Sequence, residues 1–238
     1  MISMNDFINK LVKLNNDTDL DARFEEIIDL SNSHVEIARK NNIPMGPGIA
    51  GGSPCLRDLY FWYLFARTLK PKMVLEIGAW IGTSTLVIAK ALNEVHGDDF
   101  KIVTCDFPTD VYIREHNYKH LTKNIFYNNL HSDQLVPDLK EQGYKFDAIF
   151  SDAAISLSNV NDFSSLVDKN NFSFITHDVY TDKYSKGNDV IDKMNLSFDN
   201  INVIIPKHED GYEVEGIDHL INAVSGAIIS EKLYEDTF

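Results

Sequence analysis

Cysteine is scarce in this chain of 238 residues. The two present, Cys55 and Cys105, cannot build the framework of a disulfide-stapled domain. Both sit beside apolar runs and read as buried thiols. Positive charge is also in short supply: 22 Lys and Arg stand against 36 Asp and Glu, a formal net charge of −14. Binding to nucleic acid needs clustered Lys and Arg to neutralise phosphates, so no nucleic-acid partner is expected. The acidic balance reads as a solvated surface. Long apolar runs are missing too. The longest aromatic-apolar stretch, Leu59 to Ala66, falls far short of the ~20 residues that cross a bilayer. The amino terminus, MISMNDFINK, lacks the basic segment and apolar run of a secretory leader. No membrane partner and a reducing, cytoplasmic setting are therefore the expectation. With 44% hydrophobic and 24% charged residues, the composition is that of a globular protein. The length suits one large domain, or one domain with a small appendage.

Hydrophobic spacing orders the first 45 or so residues into helices. Phe7, Ile8, Leu11, Val12 and Leu14 recur at helical intervals, as do Phe24, Ile27, Ile28, Val35 and Ala38. Asp21, or Asp19 before it, is placed to cap the second helix, which Asn41, Asn42 and Pro44 end. A Gly- and Pro-rich loop, MGPGIAGGSP, follows over residues 45–54. It reads either as a linker or as a flap over a pocket, with Gly48, Gly51 and Gly52 permitting hinge motion. Residues 1–54 thus form a predicted helical appendage, and residues 55–238 the main domain. A third helix over 55–70 is greasy on every face, from Leu59, Trp62, Phe65 and Leu69 round to Tyr60, Phe61, Tyr63 and Leu64. It must be covered on both sides, by its own chain or by a second copy in a helix-mediated homodimer.

From Met73 onward strands and helices alternate. Strands are predicted at 73–77, 101–105, 125–127, 147–151, 172–176 and 201–206. Helices are predicted at 83–93, 110–123, 134–141, 162–168 and 188–194. Crossover helices between strands imply a Rossmann-like, doubly wound α/β fold with a mostly parallel sheet covered on both faces. Apolar strand centres such as MVLEI, DAIFS and FSFIT fit that burial. Residues 220–229 read as a helix, a closing strand, or both.

One segment carries the chemistry. Val74-Leu75-Glu76-Ile77-Gly78-Ala79-Trp80-Ile81-Gly82-Thr83-Ser84-Thr85-Leu86 reads as a buried strand, a tight glycine turn and a helix start. In an open parallel sheet, ligands bind at the carboxyl ends of strands. The helix N-terminus with Thr83 and Ser84 offers N–H and hydroxyl donors. A dinucleotide fingerprint needs G-x-G-x-x-G, and here no middle glycine admits a pyrophosphate. A P-loop needs Lys after its last glycine, and none follows Gly82. Glu76, two residues before Gly78, disfavours phosphate. The expected ligand carries a cationic or zwitterionic end.

LEIGAWIGTST resembles the first motif of class I S-adenosylmethionine-dependent methyltransferases. In its E-I-G-x-x-x-G-x-S/T form it is similar to the small-molecule O-methyltransferase branch, with its catechol-type and macrolide-sugar enzymes. The resemblance covers residues 55–206. It implies S-adenosylmethionine as methyl donor, bound around Glu76, Gly78, Ala79, Gly82, Thr83 and Ser84. Asp106 ends the strand IVTC and follows Gly82 by 24 positions (106 − 82), near the spacing of about 20 for a ribose-binding acid. The resemblance assigns it the donor's ribose; the other reading of a strand-end acid is a loop cap. Ser132, in Asn129-Leu130-His131-Ser132-Asp133, matches the serine of a G-D-S segment that borders adenine in the family. His131 replaces the family's acid there, and a solvent-exposed helix cap is the competing reading of Ser132.

Asp152 follows the strand at 147–151, and His177-Asp178 follow the strand at 172–176. Both ends open on the edge of the sheet that carries the glycine turn, so two carboxylates and an imidazole can converge there. The resemblance implies Mg²⁺ held by Asp152 and by the pair at His177 and Asp178, with Asp152 also facing the donor; oxygen ligands suit such a hard cation. Histidine in the first place of that pair departs from the family. It reads as a ligand for a softer metal, a general base, or an orienting group. The expected reaction is in-line transfer of the sulfonium methyl to a hydroxyl of a small-molecule acceptor, a sugar or natural-product intermediate, with Asp152, His177 and Asp178 as the catalytic residues. The competing readings are a nicotinamide oxidoreductase, a non-catalytic S-adenosylmethionine-binding protein and, more remotely, a metal-dependent phosphohydrolase.

Overall fold

The computed structural model describes residues 2–43, 56–106, 112, 114–116, 118–153, 155, 157–179, 186–205 and 224–238. Its strands are β1 (Ile2–Ser3), β2 (Met73–Ile77), β3 (Lys101–Cys105), β4 (Ile125–Asn128), β5 (Ala148–Ser151), β6 (Ser173–Val179), β7 (Ile201–Ile205) and β8 (Val224–Ser230). They form one sheet in the order β1-β7-β8-β6-β5-β2-β3-β4. Every pairing is parallel except those of β8, which runs antiparallel between β6 and β7. The helices are α1 (Met4–Leu14), α2 (Leu20–Lys40), α3 (Leu56–Leu69), α4 (Thr83–His96), α5 (Ser132–Glu141), α6 (Leu157–Leu166), α7 (Lys186–Ser197) and α8 (Glu231–Thr237). The expected doubly wound, mostly parallel α/β fold is the fold observed.

Strand residues alternate in direction, so successive side chains feed different layers. Val74, Ile102, Ala148, Phe150 and Ile175 face a core shared with α1, α2, α3 and α4. Their neighbours Leu75, Val103, Ile149 and Phe174 face a second core against α5, α6 and α7. The greasy α3 lies in the first core with Leu59, Trp62, Tyr63, Leu64, Phe65 and Ala66 all buried; this chain covers it on both sides. Phe7, Leu11, Ile27 and Leu30 of the N-terminal helices belong to the same core. A polar cluster adds to that packing. Glu94 of α4 accepts from the Tyr63 hydroxyl at 2.7 Å, and it lies 3.2 Å from Arg23 of α2 and 3.0 Å from Lys90.

Several local expectations are refined. Asp19, not Asp21, caps α2, accepting from the Ala22 N–H at 3.1 Å. Within the polar stretch expected to be helical over 110–123, Lys119–Asn124 form a 3-10 helix that leads into β4; residues 110, 111, 113 and 117 lie outside the described residues. The helix expected at 162–168 starts earlier, since Val160, Phe163 and Leu166 supply its buried stripe, and Val167 leaves it to bridge Phe146. Of the ambiguous tail at 220–229, the described residues 224–229 belong to β8, a strand; residues 220–223 lie outside the described residues. Cys105 is buried, and burial pushes its thiol up to about 12. Cys55 and the loop at 45–54 lie outside the described residues. Among the described residues no helix is long and apolar enough to cross a membrane.

Phe150 is the keystone of the α3 seam, with ring centroids 5.5 Å from Trp62 and 6.0 Å from Phe65. Phe150→Ala is expected to lower the unfolding free energy by about 3–5 kcal/mol, read as a fall in the urea midpoint. A midpoint equal to that of the parent chain would contradict this packing.

Candidate active site at the carboxyl edge of the sheet

The site begins where β2 runs out. Gly78 sits at φ +92°, and a Cβ there would lie 3.0 Å from both the Ala153 Cβ and the Asp152 carbonyl carbon. Only glycine meets both demands. Four backbone donors then stitch the ends of three neighbouring strands. The N–H groups of Gly78 and Ala79 reach the Cys105 carbonyl at 3.1 and 3.4 Å, and Asp152 N–H reaches the Ile77 carbonyl at 2.9 Å. Trp80 N–H donates to Asp106 Oδ2 at 2.8 Å, so the expected ribose acid is fixed to the turn. Gly82, at φ +90°, precedes the first turn of α4, whose leading N–H groups have no acceptor within the helix.

Most hydroxyls and acids of the turn are engaged inside the protein. Glu76 is 1% exposed and accepts from Ser84 Oγ at 2.8 Å and Thr85 Oγ1 at 2.5 Å. Burial raises its carboxyl above the ordinary range, against the pull of those two hydroxyls. Thr83 Oγ1 shares a 2.7 Å hydrogen bond with His34 Nδ1 from α2. Thr83 and Ser84, expected to offer hydroxyls to a ligand, thus pair with His34 and Glu76. The leading N–H groups of α4 are the donors that remain for a ligand. His116 Nε2 donates to the Ile81 carbonyl at 3.2 Å. Burial pushes both imidazoles down to about 4; the neighbouring His116 reinforces the effect at His34, and the Ile81 carbonyl opposes it at His116. Trp80 packs on the small cluster of Ile37, Ala38 and Ile81, which pins the end of α2 to the turn.

At the neighbouring strand ends, β6 runs on to Val179, with a register shift against β8 between Thr176 and Val179. His177 and Asp178 therefore lie in the last residues of the strand, beyond its pairing with β5, which ends at Ser151–Thr176. His177, 7% exposed, lies between two carboxylates. Its Nδ1 is 2.9 Å from Asp152 Oδ1, and its Nε2 is 3.3 Å from Asp58 Oδ2. Burial alone would depress this imidazole; Asp58 and Asp152 outweigh it and hold the ring well above its ordinary value. The Asp178 side chain, Tyr180 and Tyr184, and the polar loop from Lys207 to Asp210 lie outside the described residues.

Ser132 is the first helical residue of α5 and is buried, and His131 before it is the cap, its Nδ1 accepting from Asp133 N–H at 3.3 Å. The reading of Ser132 as a solvent-exposed cap is thereby corrected: the helix is entered one residue earlier. A groove of about 470 Å³ between β3, β4 and α5 is lined by residues such as Lys101, Phe126 and Tyr144, and by none of the predicted site residues. It lies apart from the chemistry nominated above.

Sequence reasoning missed two residues that complete the site. Asp58 is a lone acid on a helix apolar all round, a position that demands a partner once buried. His34 interrupts the buried stripe of α2 between Leu30 and Ile37. Each was visible as a polar residue in an apolar face.

The strand order defines a doubly wound α/β domain whose β2–α4 turn stands at the carboxyl edge of the sheet, the edge at which folds of this kind bind their ligands. No protein-family model matches the sequence, and no curated protein matches it. Solved structures do match in fold. An O-methyltransferase from Bacillus cereus in complex with S-adenosylhomocysteine superposes with a TM-score of 0.59 at 15% identity, over 88% of this chain and 91% of that one. The O-methyltransferase TomG from Streptomyces achromogenes, involved in tomaymycin synthesis and solved with S-adenosylmethionine, gives 0.56 at 17% identity, over 85% and 89%. The methyltransferase PaMTH1 from Podospora anserina, bound to S-adenosylhomocysteine, gives 0.54 at 17%, over 83% and 87%. At these identities the likeness establishes a shared fold.

The buried imidazole of His34 makes the site's attachment to α2 pH-sensitive. An unfolded histidine takes up a proton near 6.5, but folded His34 resists until about 4. The unfolded chain binds more protons in that window, so stability falls as pH drops from 6.5 to 4. His34→Gln is expected to flatten the fall by up to about 3 kcal/mol, measured by urea titrations across that range. Identical slopes for the two chains would rule out a buried neutral imidazole.

Proposed function

We propose that the chain is an S-adenosylmethionine-dependent O-methyltransferase acting on a hydroxyl of a small molecule, a sugar or natural-product intermediate. The observation that carries this reading is the glycine turn stitched to Asp106 and to the Asp152 backbone at the carboxyl edge of a sheet with this fold. S-adenosylmethionine supplies a methyl on a cationic sulfur, which the acceptor oxygen displaces in line, leaving S-adenosylhomocysteine and a methyl ether. Asp106 accepts the ribose hydroxyls. Gly78, Ala79 and Gly82 keep the backbone low beneath the ligand, and the leading N–H groups of α4, at Thr83 and Ser84, face the donor's carboxylate. Glu76 acts through Ser84 and Thr85 by fixing the helix start. Ser132 borders the adenine. Asp152, His177 and Asp178 orient the acceptor hydroxyl within about 3 Å of the methyl carbon, and the carboxylates receive its proton.

The resemblance implies Mg²⁺ on Asp152, His177 and Asp178. The donor set does not fit that ion well. Both ring nitrogens of His177 face carboxylates, and Asp152 offers one of its oxygens to the ring. Among the described residues no group of three His, Cys, Asp or Glu is placed to hold a metal ion, and the Asp178 side chain is not among them. No step above passes through a metal. A nicotinamide oxidoreductase is disfavoured by the missing middle glycine, and a non-catalytic binder by the clustered acids. Residues 1–54 form the appendage that, with the loops after β6 and β7, selects the acceptor; residues 55–238 bind the donor. The reading includes a cytoplasmic homodimer with neither nucleic acid nor membrane as partner.

Calorimetry is expected to detect binding of S-adenosylmethionine and S-adenosylhomocysteine, weakened about tenfold or more by Asp106→Ala through lost charged hydrogen bonds. Asp152→Ala and Asp178→Ala are expected to abolish transfer of labelled methyl to a panel of catechols and sugars while keeping donor binding. A parent chain that binds neither nucleoside is not a methyltransferase; transfer undiminished in both variants takes the acids out of the mechanism.

A further inference from the structure

At the outer end of the sheet, β4 is the last strand in the order and pairs, among the described residues, with β3 alone. Val103 of β3 faces the core against α5, together with Leu135 and Leu139 of that helix. Lys101 lies two residues before Val103 and so shares its face of the sheet. Phe126 stands opposite Val103 in the strand register, yet its ring is left 49% exposed. The step between the helix and this uncovered strand is the groove of about 470 Å³, a volume within the range of small-molecule sites.

The charges in this groove run against those of the chain. Elsewhere the surface lysines pair with acids: Lys72 with Asp99, Lys123 with Asp98 and Lys140 with Asp162. Lys101 has no carboxylate partner among the described residues. Its Nζ lies 4.1 Å from the ring centroid of Phe126, 5.1 Å from that of Tyr144 and 3.5 Å from the Tyr144 hydroxyl. Tyr144 is held in turn by stacking on Phe146, with centroids 6.0 Å apart. Arg114, exposed, lines the same groove and makes no ion pair among the described residues. The acid of the lining is Asp138, which accepts from Gln142 Nε2 at 2.7 Å. Two cations against one carboxylate give the lining a charge of +1 (2 − 1) in a chain of net −14.

We propose that this groove is a second binding site, for a small aromatic carboxylate carrying a single negative charge. The guanidinium of Arg114 matches a carboxylate with two parallel donors, and the ammonium of Lys101 supplies a further one. Lys101 gives up a ring face, a weak interaction where water reaches it, for a stronger charge-assisted hydrogen bond. The face it vacates on Phe126 then takes the ring of the ligand. A bare inorganic anion leaves both rings uncovered, a neutral aromatic leaves both cations unpaired, and a polyanion meets Asp138. None of the residues nominated at the carboxyl edge lines the groove, so the inference goes beyond the methyltransferase reading and does not rest on it.

Calorimetry on the full chain at neutral pH tests this with 2-naphthoate as the probe, 2-naphthamide as its uncharged counterpart and acetate as the charge without the ring. The expected result is one molecule of 2-naphthoate bound per chain, about tenfold or more tighter than either control. Lys101→Met keeps the stem of the side chain and removes its charge, and Arg114→Gln does the same at an exposed position. Each is expected to weaken 2-naphthoate about tenfold and to leave 2-naphthamide unchanged. Asp152→Ala, at the carboxyl edge, should bind the probe as the parent chain does. A parent chain that takes up no 2-naphthoate, or takes up 2-naphthamide equally well, overturns the proposal. So does binding that survives both Lys101→Met and Arg114→Gln, or that disappears in Asp152→Ala, since the probe would then sit elsewhere. Arg114→Gln decides the question even if Lys101→Met fails to fold. S-adenosylhomocysteine is absent from every arm, so neither outcome depends on donor binding.

Discussion

Three strand ends meet with no room for a side chain at Gly78, and this close approach governs the rest of the site. The Asp152 carbonyl carbon would touch a Cβ there, and the Cys105 carbonyl takes the N–H groups of the turn. Because the turn is short and stitched on both sides, Asp106 and Asp152 cannot drift relative to α4. The backbone supplies this order at little conformational cost, since the residues involved already end regular strands. A longer or looser turn would leave the same acids on separate loops.

Charge inside the domain is handled by pairing across elements. His177 joins β6 to α3 and to the loop after β5 through two carboxylates. Glu94 joins α4 to α2 and α3 through Arg23, Lys90 and Tyr63. Glu76 is satisfied by hydroxyls instead, those of Ser84 and Thr85 in the first turn of α4. These are distinct solutions to the same problem: a buried polar group costs free energy unless a partner is held at hydrogen-bonding distance. The pair of histidines beside the glycine turn follows the opposite course and stays neutral, which leaves the contact between α2 and α4 sensitive to acid.

The N-terminal helices are more than a cover. Phe7, Leu11, Ile27 and Leu30 complete the core over α3, His34 reaches the first residue of α4, and Trp80 seats against Ile37 and Ala38. The N-terminal helices are thereby built onto the elements that hold the turn. A substitution in α2 can be felt at the site without touching a ligand.

Much of this was legible before any coordinates. Strict alternation of apolar strands with amphipathic helices determines a doubly wound sheet, because each strand must be covered on both faces. The spacing from Glu76 to Ser84 marks a tight strand–turn–helix, since a glycine pair between a buried strand and a helix start lets the backbone turn sharply there. What stayed hidden was pairing. Residue order does not reveal that Asp58 and His177, 119 positions apart (177 − 58), stand in ion-pair contact, that Thr83 turns to His34, or that residues 224–230 insert as an antiparallel strand. Those contacts depend on which faces meet once helices and strands pack, and that meeting is set by the three-dimensional closing of the cores. Local spacing carries no signal of it beyond a polar residue standing, unexplained, in an apolar face.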